Sequence, residues 1–187
     1  MATAPDFFVE QPTIVTERLL LRPIAMSDAQ EIYEYCCRDE VTKFVRFETH
    51  KSIADTEAFI ASIIANDERG RVWAIVLKER NTVIGTIGIH KVELQNQKLE
   101  VGYALSNDFW NKGITTEALR ALIQTIFEQT TINRIEALAM IENPPSAKVM
   151  EKAGMKFEGV LREFVSIKGV LRSMNIYSII RKDYYPL

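Results

Sequence analysis

The stretch Leu99–Leu122, LEVGYALSNDFWNKGITTEALRAL, changes its periodicity halfway along. Leu99, Val101, Tyr103 and Leu105 alternate with Glu100, Gly102 and Ala104, the period of two that marks a strand whose faces meet different surroundings. Ser106-Asn107-Asp108 then breaks the strand with consecutive turn formers. Phe109-Trp110 and Asn111-Lys112-Gly113 follow, and from Thr115 the pattern is helical: Ala118, Leu119, Leu122, Ile123, Ile126 and Phe127 recur at three- and four-residue spacing. A strand that passes through a short glycine-containing loop straight into a helix is a built anion site. The N–H groups of the first helical turn lack intrahelical acceptors, and the helix dipole adds partial positive charge there. Pyrophosphate is the ligand such a loop suits best.

The chain contains neither GxxxxGK[ST] nor GxGxxG, which sets aside the P-loop NTPases and the dinucleotide-binding turn. A single glycine before a helix is equally the mark of a plain connection, so the neighbouring residues decide. Trp110-Asn111-Lys112-Gly113-Ile114-Thr115-Thr116-Glu117-Ala118 resembles the "W-G-K-G-Y-A-T-E-A" form of the acetyl-CoA loop in the GNAT superfamily of N-acetyltransferases, in its RimJ/RimL-like branch that acetylates ribosomal-protein N-termini. Asn143-Pro144-Pro145-Ser146, then Glu151-Lys152-Ala153-Gly154-Met155-Lys156-Phe157-Glu158-Gly159, is similar to that branch's "N-x-x-S…E-K-x-G-F-x-x-E-G". Thr16-Glu17-Arg18-Leu19-Leu20-Leu21-Arg22-Pro23 resembles its first strand, "T-E-R-L-x-L-R". The motifs stand in family order and span residues 13–183.

The resemblance implies an α+β fold: a strongly bent, mostly antiparallel mixed sheet of about seven strands flanked by about four helices. It implies that the strands at Leu99 and Arg134 diverge to admit the pantetheine arm of acetyl-CoA. Acetyl-CoA would be the co-substrate, held by Asn111, Lys112, Gly113, Ile114, Thr115 and Thr116, with Tyr103, Leu105, Asn143 and Ser146 along the arm. Two positions depart from the pattern. Asn111 replaces a glycine, although asparagine tolerates the left-handed conformation better than most residues. Thr115 replaces alanine or glycine, and its hydroxyl either crowds a phosphate or donates to it.

A chain of 187 residues, 47% of them hydrophobic, has material for one well-filled domain. The formal net charge of −2 offers no basic footprint for nucleic acid. Cys36 and Cys37 are adjacent, in neither a metal-ligand spacing nor a disulfide framework, which suits a reducing cytoplasm. The opening MATAPDFFVEQP has neither a basic nor a long apolar region, so no signal peptide is expected, and no run reaches the length of a membrane span. The expectation is a cytoplasmic protein with a loose arm over 1–12 and one domain over 13–183, without nucleic-acid or membrane partners. Whether two copies pair as a homodimer is left open.

In chain order, residues 14–23 read as the first strand, with Glu17, Arg18 and Arg22 as solvated charges. Ser27-Asp28-Ala29-Gln30 reads as a capping box ahead of a stripe of Ile32, Tyr33, Cys36 and Cys37. These cysteines read as small core residues rather than nucleophiles. Residues 39–51 lack periodicity; an ordinary connector and, as the resemblance implies, a segment bordering the acceptor are both open. Ser52-Ile53-Ala54-Asp55 starts a helix turning Ile53, Phe59, Ile60, Ile63 and Ile64 inward, with Gly70 as its stop. Strands over 72–77, 83–94 and from Leu99 form an antiparallel meander, which argues against a doubly wound fold. A helix to Thr130, a strand over 134–140, a helix capped by Asn143 with Pro144 at its first position, and a hairpin around Lys168-Gly169 complete the order.

Acyl transfer from a thioester to an amine requires a neutral amine, a stabilised oxyanion and a proton for the leaving thiolate. An N-terminal amine has a pKa near 8 and lysine about 10.4, so a proton must be removed. Glu100, flanked by apolar residues, is the first candidate base, since partial burial raises a carboxylate's pKa. A cross-strand salt bridge or a substrate-orienting anion are its alternatives. His90 titrates in the right range for a base, with a structural or surface histidine as its alternative, and together with Phe44 and Phe47 it is assigned to the acceptor side. The resemblance places Ser146 near the CoA sulfur as a hydrogen-bond relay to the thiolate, with Asn143 holding the pantetheine or a water. Tyr103 is the alternative acid, or core. By the same resemblance a backbone N–H near Leu105 meets the oxyanion. No side-chain nucleophile is required, and no metal site is evident. The leading function is an acetyl-CoA-dependent N-acetyltransferase acting on the N-terminal amine of a protein or peptide. The alternatives are a polyamine, amino acid or antibiotic acceptor, or a non-catalytic acyl-CoA-binding module.

Overall fold

The computed structural model describes residues 11–65 and 71–185; the expected arm up to residue 10, and Gly70, lie outside them. The last two arm residues are tied down: Gln11 Nε2 donates to the Val72 carbonyl at 2.8 Å and Trp73 Nε1 to the Pro12 carbonyl at 2.7 Å. The strands are β1 (Ile14–Val15), β2 (Leu19–Pro23), β3 (Val72–Leu77), β4 (Thr82–Glu93), β5 (Lys98–Leu105), β6 (Arg134–Met140), β7 (Lys156–Ile167) and β8 (Val170–Ile180). The helices are α1 (Ala29–Cys36), α2 (Asp39–Thr42), α3 (Ile53–Ile64), α4 (Ile114–Gln129), α5 (Pro144–Lys152) and α6 (Arg181–Tyr184). One sheet runs β1-β2-β3-β4-β5-β6-β8-β7, antiparallel throughout except for the parallel β5–β6 pair. This is the mixed α+β architecture that the motifs implied.

Two cores cover the two faces. On one, Leu21, Ile75, Ile87, Leu99, Val101 and Ile135 pack against Ala118, Leu119, Leu122, Ile126 and Phe127 of α4 and Met150 of α5. On the other, Ile32, Tyr35 and Cys36 of α1 and Ile60 of α3 pack on Ala74, Val76 and Val83. Burial pushes the Cys36 thiol up to about 12, so it is an inert core group, whereas Cys37 is exposed.

Several local expectations are corrected. The first strand is broken in two. The Thr16 amide donates to the Leu19 carbonyl at 3.0 Å and the Leu19 amide to Thr16 Oγ1 at 2.9 Å, turning Ile14–Val15 back onto Leu20–Leu21. Ser27 is not a cap: a 3-10 turn, Met26–Asp28, precedes α1, and Asp28 accepts the Ala25 N–H at 2.8 Å. Asp28 is buried, and Arg22 meets it with two bonds of 2.8 and 2.6 Å, so Arg22 is a structural partner rather than a solvated charge. Starting α1 later also changes its buried stripe to Ile32, Tyr35 and Cys36. The Ser52–Asp55 box forms as read, but Ile53 and Ile64 of α3 are exposed while Thr56 is buried.

The parallel β5–β6 ladder is short. It pairs Lys98, Leu99, Glu100 and Val101 with Arg134, Ile135, Glu136 and Ala137, and stops. Beyond it the strands part, as the resemblance implied, and the ends of β5 and β6 deliver the loops that begin α4 and α5.

Candidate active site

After β5 a 3-10 turn, Asn107–Phe109, and Trp110 lead into α4, with Trp110 Nε1 donating back to the Leu105 carbonyl at 2.9 Å. Asn111 takes the left-handed conformation at φ 61°, and Gly113, at φ 73°, is the residue that precedes the helix. This double reversal turns a run of amides outward. Among the described residues none accepts from the N–H of Asn111, Lys112, Gly113, Ile114, Thr115 or Thr116; the first bond is from the Glu117 N–H to the Gly113 carbonyl, at 3.0 Å. Ile114 and Thr116 are buried, so they offer the loop only backbone, while Thr115 is half-buried. Lys112 Nζ donates to the Asp108 carbonyl at 2.9 Å. Successive free amides at a helix N-terminus suit the pyrophosphate of acetyl-CoA.

Glu117 fixes this loop to the first hairpin. Its carboxylate accepts from Thr16 Oγ1 at 2.5 Å, the Arg18 amide at 3.0 Å and Arg18 Nε at 2.7 Å, while Arg18 Nη1 donates to the Lys112 carbonyl at 2.9 Å. Burial pushes the Glu117 carboxyl up, but these donors outweigh it and hold it below its usual range. Arg18 is thus a loop clamp rather than a solvated charge. From the other side Arg38 donates to Asn107 Oδ1 at 2.5 Å and pairs with Asp108 at 2.9 Å.

Where β5 and β6 part, Tyr103 and Ser146 meet. The phenol and serine hydroxyl oxygens are 2.9 Å apart, and the phenol also lies 3.1 Å from the Ser146 carbonyl. A phenol has one proton; when it goes to the carbonyl, the serine hydroxyl is the donor to the phenol oxygen. Burial pushes the phenol up to about 12 against the opposing Ser146 hydrogen bond, keeping it protonated. Asn143 Oδ1 accepts the Ser146 N–H at 3.3 Å, capping α5 and setting the serine.

The opposite face of the gap is polar. Glu100 Oε1 accepts from Arg46 Nη2 at 3.0 Å, an ion pair between β5 and the connector after α2. On β4 the register jumps from Ile89–Val101 to Lys91–Glu100, leaving His90 unpaired in a bulge. The bulge lays its imidazole over Gly102, where a Cβ would lie 2.5 Å from His90 Nε2. The ring keeps an open surface, but the protein mass around it and then the Arg46 cation bring its pKa down to about 4.

Phe44 and Phe47 are not brought together with these groups. Phe47 stacks 5.1 Å from Phe59 and 5.4 Å from His50 beside the α1–α3 core, and His50 is held by Thr56 Oγ1 at 2.8 Å. Phe44 packs with Met140, Ile167 and Met174. Sequence reading missed Arg38 and Arg46, whose partners lie 69 and 54 residues away and leave no spacing signal. Among the described residues no group of three or more metal-ligating side chains forms, and no helix is long and apolar enough to cross a membrane.

Known proteins share the fold that carries these residues. Residues 18–156 match the family model described as an acetyltransferase (GNAT) domain. The chain is 32% identical over 174 residues to the N-acetyltransferase p20 of Bacillus licheniformis, covering 92% of this chain and 98% of that one. It is 24% identical over 172 residues to the ribosomal-protein-serine acetyltransferase of Escherichia coli (strain K12), covering 88% and 93%. Among solved structures it resembles the microcin C7 self-immunity acetyltransferase MccE in complex with acetyl-CoA and AMP, with a TM-score of 0.80, 25% identity and coverage of 88% and 93%.

Proposed function

This chain belongs to the GNAT family of acetyl-CoA-dependent acetyltransferases, and from that membership we propose that its acceptor is the N-terminal α-amine of a protein or peptide. The observation that carries the chemical reading is the Tyr103–Ser146 contact at the parting of β5 and β6, beside the open amides of residues 111–116. In this reading those amides hold the pyrophosphate and the gap takes the pantetheine arm. The Tyr103–Ser146 pair, oriented by Asn143, passes a proton to the departing thiolate. A backbone amide near Leu105 meets the developing oxyanion. Glu100, already turned to the polar face and paired with Arg46, orients the cationic amine.

The acceptor class is supported by the name of the ribosomal-protein-serine relative, similar over nearly the whole chain. The likeness to MccE, whose structure is a complex with acetyl-CoA and AMP, supports a second reading in which a small amine is acetylated. A panel of peptides with free or blocked N-termini, polyamines, amino acids and amino sugars, assayed for released thiol, separates the two. Turnover confined to free α-amine peptides is the expected result. Turnover confined to small amines would replace the acceptor, and acetyl-CoA binding with silence across the panel would favour a non-catalytic binding module.

A further inference from the structure

His90 lies in a bulge, and the space its imidazole fills exists because residue 102 has no side chain. Bulges re-aim side chains, and this one aims a titratable ring at one spot. Gly102 is the first residue of β5 beyond the last β5–β6 pair, and its neighbour Tyr103 carries the hydroxyl that meets Ser146. The imidazole therefore stands at the mouth of the gap, on the face opposite the α4 core. Resting on the transferase reading above, we propose that His90 is the proton acceptor for the incoming amine, with Glu100 and Arg46 as the ion pair beside it.

The charged groups around the ring favour this division. Arg46 faces it from the connector after α2, Glu100 stands on β5, Lys91 follows it on β4, and Glu136 lies opposite Glu100 on β6. Glu100 is already engaged by Arg46, and Glu136 by Arg134 at 2.6 Å. With both neighbouring carboxylates paired to arginines and the Arg46 cation facing it, the imidazole is unprotonated at neutral pH and takes the proton of the amine only as the nitrogen commits to the thioester carbon.

The step balances without any further reagent. The acceptor arrives as an ammonium ion and gives one proton to a ring nitrogen of His90, directly or through one water; His90 later returns it to solvent. The freed lone pair attacks the thioester carbonyl carbon, the C–N bond forms, and the C–S bond breaks with its electron pair leaving on sulfur. The nitrogen's second proton, lost as the amide forms, reaches the thiolate through Tyr103 and Ser146.

The test uses the full chain and the amine that the wild type turns over. His90→Ala is expected to lower kcat by about a hundredfold while leaving acetyl-CoA affinity unchanged, and added imidazole is expected to restore about tenfold of that loss. Gly102→Ala, whose new methyl must push the ring aside, is expected to lower kcat in the wild type and to add nothing in the His90→Ala background. Glu100→Gln is expected to raise the acceptor KM more than it lowers kcat. A His90→Ala protein with wild-type kcat, or one that imidazole does not rescue, would overturn the assignment. So would a Glu100→Gln protein that alone loses the acid limb of the pH–rate profile. If the wild type releases no thiol with any amine, the transferase reading falls and this assignment with it.

Discussion

Arg18 and Glu117, 99 residues apart in the chain, join the first hairpin to the first turn of α4 through a charged hydrogen bond of 2.7 Å. The same carboxylate also satisfies Thr16 and the Arg18 amide, so it sets the angle at which the anion loop leaves the sheet. Glu117→Ala strands these donors. The expected cost is about 1–3 kcal/mol, a loss of a few degrees in Tm. Acetyl-CoA affinity is expected to fall about tenfold, read by calorimetry, because the loop loses its fixed orientation.

Gly113 and Asn111 share a left-handed backbone but differ in what a substitution does. A Cβ at Gly113 meets nothing nearer than Arg18 Nη2 at 3.7 Å, so Gly113→Val folds. It strains φ by about 1–2 kcal/mol and places its side chain among the open amides. Acetyl-CoA binding is expected to weaken by more than about tenfold, with a circular dichroism spectrum like that of the wild type. Asn111→Gly relieves strain at φ 61° and is expected to bind as well as the wild type.

Tyr103 and Ser146 are expected to act as one unit. Tyr103→Phe and Ser146→Ala should each lower kcat about a hundredfold with acetyl-CoA binding retained, and the double variant should be no slower than the worse single one. Fully multiplicative losses in single-turnover assays would show independent roles.

Stability should fall between pH 6.5 and 4 because of the histidines. His90 is lowered to about 4 and His50 below its ordinary 6.5, in both cases by burial first. Below pH 6.5 the unfolded chain binds protons that the folded chain refuses, so the stability present above 6.5 is lost as pH drops. Glu158, held at about 2 by hydrogen bonding to Arg134, gives up its contribution only below about 4.5. Urea denaturation at pH 7.5 and 5 should therefore show a drop that His90→Gln reduces.

Much of this was legible in the sequence because it depends on local patterns. The alternation over 99–105 gave β5, the spacing of Ala118 to Phe127 gave α4, and Asn143-Pro144 gave the start of α5. Asn111 was readable from residue type alone as a position that tolerates the left-handed conformation, which it takes. What was not legible depends on tertiary partners. Ser27 looked like a cap until Arg22 claimed Asp28, and Thr16 turned the first strand by bonding across its own hairpin. Arg18, Arg38 and Arg46 carry no local signal, since a surface arginine and a clamping one look alike until the fold brings a carboxylate or amide to them.

The most direct test of the account mixes the purified chain, acetyl-CoA and a peptide with a free α-amine, and follows thiol release alongside mass spectrometry of the peptide. One acetyl group on the α-nitrogen is expected for each thiol released, and no reaction with the N-terminally blocked peptide. Acetyl-CoA binding with no acetylated product from any amine would contradict it.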